Sequence, residues 1–456
     1  MGGYPLDAIV KVPPFASRRE GSEVIIGRPE KRVFLSVPEE GLDILQSLAA
    51  GHTVGETTRR YQEKHAETPD IADFVGTLHG EGFLDEDFLT LDSQAAGPAA
   101  PVSGPPAGAG RAGRMVWNIN FDWISPDVAR RLCGPPVLAL CAAIIACGGF
   151  FLADHPGPIP NVQVLFFKQG HFAVLTLATF GIALVAVFIH EMAHAVVARA
   201  SNASARLAIG NLMYVLVAQT DITGIWLAPK RKRYLAFLSG TIIDLVGASV
   251  IIGVLWAGQH HLIGLSGTVT KPLIEAVLFT YGTRIAFQFV FYIRTDFYYV
   301  LAAAMNCTNL MEDTQTLLGN RLARLRRRPD LVVDQSGIPA REMRNVRIYA
   351  PFWLVGRVFA FGVLFFFFVP LLWHYLKEFV ELALGQPHTF TVGDYLTVAL
   401  LSVAVDGGGI ALWVTKLSRG WLRSRSARRG LALAVSGPDG TAGHVTPSAS
   451  LDRDLV

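Results

Sequence analysis

Six apolar runs, each roughly 20 residues long, dominate this chain, and a run of that length can cross a ~30 Å hydrocarbon core. They lie near 134–153, 172–198, 234–257, 272–293, 351–376 and 394–416. Any single run could be the buried core helix of a large soluble protein. Six of them in 456 residues, with 51% of the chain hydrophobic and only 17% charged, point instead to a polytopic helical membrane domain.

The remaining sequence divides the chain further. Residues 1–92 are polar and mixed, with 9 Lys/Arg against 17 Asp/Glu and a net charge of −8, whereas the remainder carries +11. No apolar core follows a basic start, so no secretory signal is read and the amino terminus is expected in the cytoplasm. Residues 93–114, SQAAGPAAPVSGPPAGAGRAGR, are rich in Ala, Pro and Gly without periodicity, the composition of a flexible linker. Residues 115–420 form the expected membrane domain, and 421–456 a basic tail with the composition of a disordered segment. The expected fold class is multi-domain: a polytopic α-helical membrane domain of about six spans, preceded by a small α+β winged-helix-like domain.

Lys and Arg concentrate in alternate connections. Arg206 and Lys230-Arg231-Lys232-Arg233 lie in one, Arg321, Arg324, Arg326, Arg327 and Arg328 in another, and Arg419, Arg423, Arg425, Arg428 and Arg429 in the tail. The connections 154–171, 258–271 and 377–393 are nearly free of them. The positive-inside rule then places both termini of a six-span, multi-pass cell-membrane protein in the cytoplasm. The same charges are explained by helix orientation and anionic headgroups, without nucleic acid. Cys133, Cys141, Cys147 and Cys307 form no C-x-x-C pair, so neither a cysteine metal site nor a disulfide framework is indicated.

The second run ends in His190-Glu191-Met192-Ala193-His194. Residues four apart share a helix face, so both imidazoles can hold one ion, expected to be a single Zn²⁺. Glu191 is placed to act as general base toward a water whose pKa zinc lowers to about 7. Ionisable groups at the end of an apolar span are costly unless functional; the plain alternative is a pair of interfacial histidines facing headgroups. Catalytic zinc usually keeps three protein ligands. The candidates for the third are Asp221, Asp244, Asp296 and Asp406. Asp296 ends the fourth run on the same side as His190 and His194, and is the first choice. Asp221, in a segment that reads as extended structure folding back at the membrane, is the second. Asp244 and Asp406, inside the third and sixth runs, are expected to pair with intramembrane bases such as Arg284 or Arg357.

With HEMAH in one span and an aspartate closing a later one, residues 115–420 resemble the site-2-protease family of intramembrane zinc metallopeptidases. The segment Asp296-Phe297-Tyr298-Tyr299 narrows the resemblance to the bacterial peptide zinc metalloprotease branch, with its D-G-Y-Y-type segment. The resemblance implies His190, His194 and Asp296 as ligands and Glu191 as catalytic base. This chain departs from the family pattern around Asp296, where Arg294 and Thr295 replace Asn-Pro and Phe297 replaces Gly.

In the first domain, 24–27 and 32–38 read as short strands and 39–49 as an amphipathic helix with Leu42, Ile44, Leu45 and Leu48 inward. Thr53 opens a second helix with Glu56 completing a capping box. A third helix follows Pro69 with Ile71, Phe74, Val75 and Leu78 inward, and 83–84 begins a closing strand. Residues 23–92 resemble the PqqD-like peptide-recognition domain, a winged-helix fold that accepts a leader peptide as an added strand. DNA, the other frequent partner of winged helices, needs a positive surface that a domain of net −8 lacks.

The resulting expectation is a zinc metalloendopeptidase in the lipid bilayer that cleaves a leader or precursor peptide in the maturation of a ribosomally synthesised, post-translationally modified peptide. Regulated intramembrane proteolysis of a membrane-bound regulator, and a non-catalytic membrane protein for peptide export or immunity, are the alternatives. A precursor-peptide gene nearby favours the first and an anti-sigma factor the second.

Overall fold

The computed structural model describes residues 4–91, 118–154, 172–370 and 391–415, apart from 21, 22, 32, 86, 213, 214, 266, 268, 308 and 337, and a few positions elsewhere. The linker 93–114 and the tail 421–456 lie outside the described residues.

The first unit begins with strands β1 (Ala8–Val10), β2 (Ala16–Glu20), β3 (Glu23–Arg28) and β4 (Val33–Pro38). β2, β3 and β4 form an antiparallel sheet in which Val24 faces Val37 and Ile26 faces Leu35. Successive side chains point to opposite faces, so Val24, Ile26, Val33 and Val37 join one core with Leu42, Ile44, Leu45 and Leu48 of α1 (Glu39–Ala49). α2 (Val54–His65) starts at Thr53 through the anticipated capping box: the Thr53 hydroxyl takes the Glu56 N–H and the Glu56 carboxylate takes the Thr53 N–H. α3 (Ile71–Gly80) is capped by Asp70 and buries Ile71, Val75 and Leu78.

The closing strand differs from expectation. Phe83 and Leu84 are core side chains, 0% and 3% exposed, and the strand forms later as β5 (Leu89–Leu91), paired with β1. An apolar pair between turns can be strand or plug, and here the plug wins because Phe83 fills the space beside Phe15. β1 and β2 lie upstream of the expected 23–92, so the unit begins near the first described residue. Its second sheet face meets the rest of the chain: Arg18 donates to the Leu227 carbonyl at 3.2 Å, and Gly27 leaves room for the Phe34 ring, with the Leu227 side chain beside it.

The second part is helical and membrane-associated in character. Among the described residues, five helices are long and apolar enough to cross a bilayer: Pro126–Asp154, Phe172–Ala200, Lys230–Gln259, Ala340–Phe366 and Val392–Thr415. The first comprises α4 (Pro126–Leu132) and α5 (Pro135–Asp154), the next is α6 (Phe172–Ala200), and the third is α7 (Lys230–Gln259). The fourth anticipated run, 272–293, becomes α8 (Thr270–Phe287), which is not among the five; Lys271, Glu275 and Arg284 interrupt its apolar character. The chain then turns into α9 (Asp296–Met305), α10 (Leu310–Leu325) and α11 (Ala340–Val363).

Between α6 and α7 lies the anticipated extended segment, a hairpin of β7 (Arg206–Leu212) and β8 (Val215–Asp221), with β6 (Asn118–Asn120) added to β7. Alanines on α6, Ala195 and Ala198, let this sheet region pack close with Phe121, Ala205 and Leu207. A 3₁₀ turn, Thr223–Leu227, leads from β8 into α7.

Candidate metal centre

α6 is apolar toward its start and polar inside its end. Val174, Leu177, Leu184 and Val185 are exposed, the environment expected of lipid-facing side chains, whereas His190, Glu191 and His194 are buried. The helix period brings His190 and His194 onto one face with their Nε2 atoms 3.2 Å apart. Asp296, the first residue of α9, adds Oδ2 at 3.1 Å from His190 Nε2 and 3.3 Å from His194 Nε2. Among the described residues these three form a group whose ligand atoms all lie within 4.8 Å of one another.

The orientation of both rings is set from behind. His194 Nδ1 donates to the Ala236 carbonyl at 2.7 Å, and His190 Nδ1 donates to Asp244 Oδ2 at 2.8 Å. A carbonyl only accepts, so Nδ1 of His194 carries the proton and its Nε2 presents a lone pair; the Asp244 carboxylate fixes His190 in the same way. Two lone pairs and a carboxylate oxygen then converge on one point. A proton on one nitrogen would satisfy one contact, whereas a cation among the three satisfies all. Four-coordinate zinc, with bonds of about 2.0–2.2 Å, spaces its ligand atoms about 3.3 Å apart, which fits the distances here. Gly240 of α7 faces the pair, and a Cβ there would collide with both Nε2 atoms. The two-His, one-carboxylate donor set suits zinc.

Glu191 is held by β8. Its Oε2 accepts the Thr220 N–H at 2.6 Å, and its backbone carbonyl accepts the Thr220 hydroxyl at 3.1 Å. One carboxylate oxygen is thereby held against β8.

The other acidic candidates separate cleanly. Asp221 accepts from the Thr223 N–H at 3.0 Å and from the Thr223 hydroxyl, just ahead of the 3₁₀ turn. Asp244 is fully buried and pairs with Arg284, the type of partner expected for it, but it also holds His190, a role not read from the sequence. The Asp406 side chain lies outside the described residues, and Arg357 lies over the Trp353 ring at 4.8 Å. Thr220, Gln288, Gly240 and the Ala236 carbonyl were not singled out from sequence. Only Gln288, a polar residue within an apolar run, left a visible sign. The altered surroundings of Asp296 are accommodated: Thr295 caps α9, accepting from the Tyr298 N–H, and Phe297 packs edge-on against Phe289 at 4.7 Å.

Comparison with protein-family models, with curated proteins and with solved structures finds no match to this chain.

Proposed function

We propose that this chain is a membrane-embedded zinc-dependent endopeptidase of site-2-protease type. The observation that carries the reading is the convergence of His190 Nε2, His194 Nε2 and Asp296 Oδ2 while both Nδ1 atoms are engaged elsewhere. His190, His194 and Asp296 would hold the ion. When bound, zinc supplies Lewis acidity that polarises a peptide carbonyl and acidifies water. Glu191 accepts the proton of the attacking water at Oε1 and passes it to the leaving amine, while Thr220 keeps its carboxylate in place. Asp296, 19% exposed at its side chain against 8% and 7% for the histidines, is the open side of the centre, where a peptide gains access.

The same reading gives the first unit the capture of a peptide, as a PqqD-like domain captures a leader. Its sheet lies against Leu227, six residues beyond Asp221 at the end of the strand that orients Glu191. A captured peptide is thereby concentrated near the centre. Cleavage of a leader or precursor peptide follows as the proposed reaction. Six spans with both termini cytoplasmic belong to this reading, with α8, 18 residues and about 27 Å long, as the sixth.

The test is Glu191→Gln in the full chain, purified in detergent. Zinc content should stay at one ion per chain, while cleavage of a candidate precursor peptide falls about 100-fold or more. A native chain without zinc, or a variant that cleaves at the native rate, would overturn the reading.

A further inference from the structure

We propose that the last turn of α8 is the frame of the metal centre, with Arg284 and Gln288 as positioning residues for His190 and Asp296. This rests on the trio being a metal centre. Arg284 and Gln288 are four residues apart at the C-terminal end of α8, so they share one face. Each reaches a different ligand.

Arg284 acts through Asp244. Its Nη2 contacts Asp244 Oδ1 and also donates to the Ala186 carbonyl at 3.3 Å. Ala186 lies one turn before His190 on α6, so a single guanidinium ties α6 and α7 together behind the histidine. Asp244 Oδ2 then accepts from His190 Nδ1 at 2.8 Å. Arg284 thus faces a side chain with no exposed surface, and the pair holds the acceptor for His190 in one place. The guanidinium also stacks over the Tyr281 ring at 5.2 Å, which limits its own freedom.

Gln288 acts on the backbone of Asp296. Its side-chain Oε1 accepts the Asp296 N–H at 3.1 Å, and its main-chain carbonyl accepts the Thr295 hydroxyl at 2.9 Å. The first N–H groups of a helix have no partner within the helix. Gln288 supplies one for the residue that carries the ligand, and so fixes where α9 begins. α8 carries three charged residues, Lys271, Glu275 and Arg284, and Arg284 has a structural reason to be one of them: it pairs with Asp244. A separation of 106 residues lies between His190 and Asp296 in the chain, and α8 is the element that touches the supports of both.

The experiment is Co²⁺ titration of the full chain in detergent after chelator treatment, read by the visible ligand-field bands and by affinity. The native chain should bind one Co²⁺ with a four-coordinate spectrum. Arg284→Gln and Gln288→Leu should each weaken binding about 10–100-fold and shift the bands. Arg284→Lys and Gln288→Asn, which keep the chemistry and shorten the reach, should lose several-fold and remain folded by size exclusion and melting. The double variant Arg284→Gln/Asp244→Asn should recover part of the Arg284→Gln loss, because it removes the unbalanced charge and keeps an acceptor for His190. If all of the folded variants bind Co²⁺ with native affinity and spectrum, the frame proposal is wrong and the metal centre stands. If the native chain binds none, the metal reading fails and the frame fails with it.

Discussion

The two halves of this protein both bury apolar side chains, and differ in the ionisable groups they bury beside them. In the unit spanning residues 4–91 the interior is apolar, from Val24 and Ile26 to Leu45, Leu48, Val75 and Phe83, and charge stays near the surface. Arg28 is its buried exception, and it is satisfied by Glu30, Asp85 and the Phe83 carbonyl. In the helical unit, Phe150, Leu184, Phe352 and Phe366 are exposed while His190, Glu191, His194 and Asp244 are buried. Water drives the first pattern, since burying apolar area there stabilises the fold. A bilayer removes that drive, so a buried ionisable group in the second unit costs stability unless it does chemistry or pairs with another. The first interior therefore speaks to folding and the second to function.

The sharpest way to break this comparison is to remove one ligand. His194→Ala should abolish stoichiometric zinc binding, measured by metal analysis of the purified chain, and leave the first unit folded. A variant that still carries one zinc would show that the buried cluster is structural. The converse substitution is Leu45→Ala, which opens a cavity in the first core and should cost about 2–5 kcal/mol there. Limited proteolysis should then cut within residues 4–91 while zinc content is unchanged. Loss of both together would mean that the two units fold as one.

Two smaller effects test the first unit by itself. Thr53→Ala removes the capping box of α2 and should cost about 1 kcal/mol, visible as a lower melting midpoint. Acid should act more gently. Hydrogen bonds from Lys31 and Arg28 hold the Asp85 carboxyl below its ordinary value of 3.8. Burial alone would raise Asp43, but Lys64 and His65 hold it down as well. A carboxyl lowered by folding contributes stability above its unfolded pKa, and loses it as pH falls through the folded one. The melting midpoint of the first unit should therefore drop below about pH 4, modestly because both carboxylates are partly solvent-exposed. Asp85→Asn should flatten that dependence.

Local pattern revealed much of the fold. The strands at 24–27 and 32–38, the three helices and the Thr53 box follow from periodicities of two and 3.6 and from side-chain capping, all of which act within a few residues. Where two local readings competed, the pattern failed: 83–84 reads as strand or as core plug, and only packing against Phe15 decides. The run 272–293 reads as a span, yet Gln288 through Thr295 turn the chain so that Asp296 opens a new helix.

For the centre, the sequence alone determined that His190 and His194 share one helix face with Glu191 beside them, because helical spacing is a local property. For a third group it offered four aspartates and ranked Asp296 first, by its place at the end of the fourth run on the same side as the histidines. Tertiary structure decided that Asp296 joins the pair, that Asp244 stands behind His190, and that Thr220 holds Glu191. These contacts join residues 29 to 106 positions apart. Over such separations no periodicity carries information, and the packing of α6, α7, α8 and α9 alone brings the groups together.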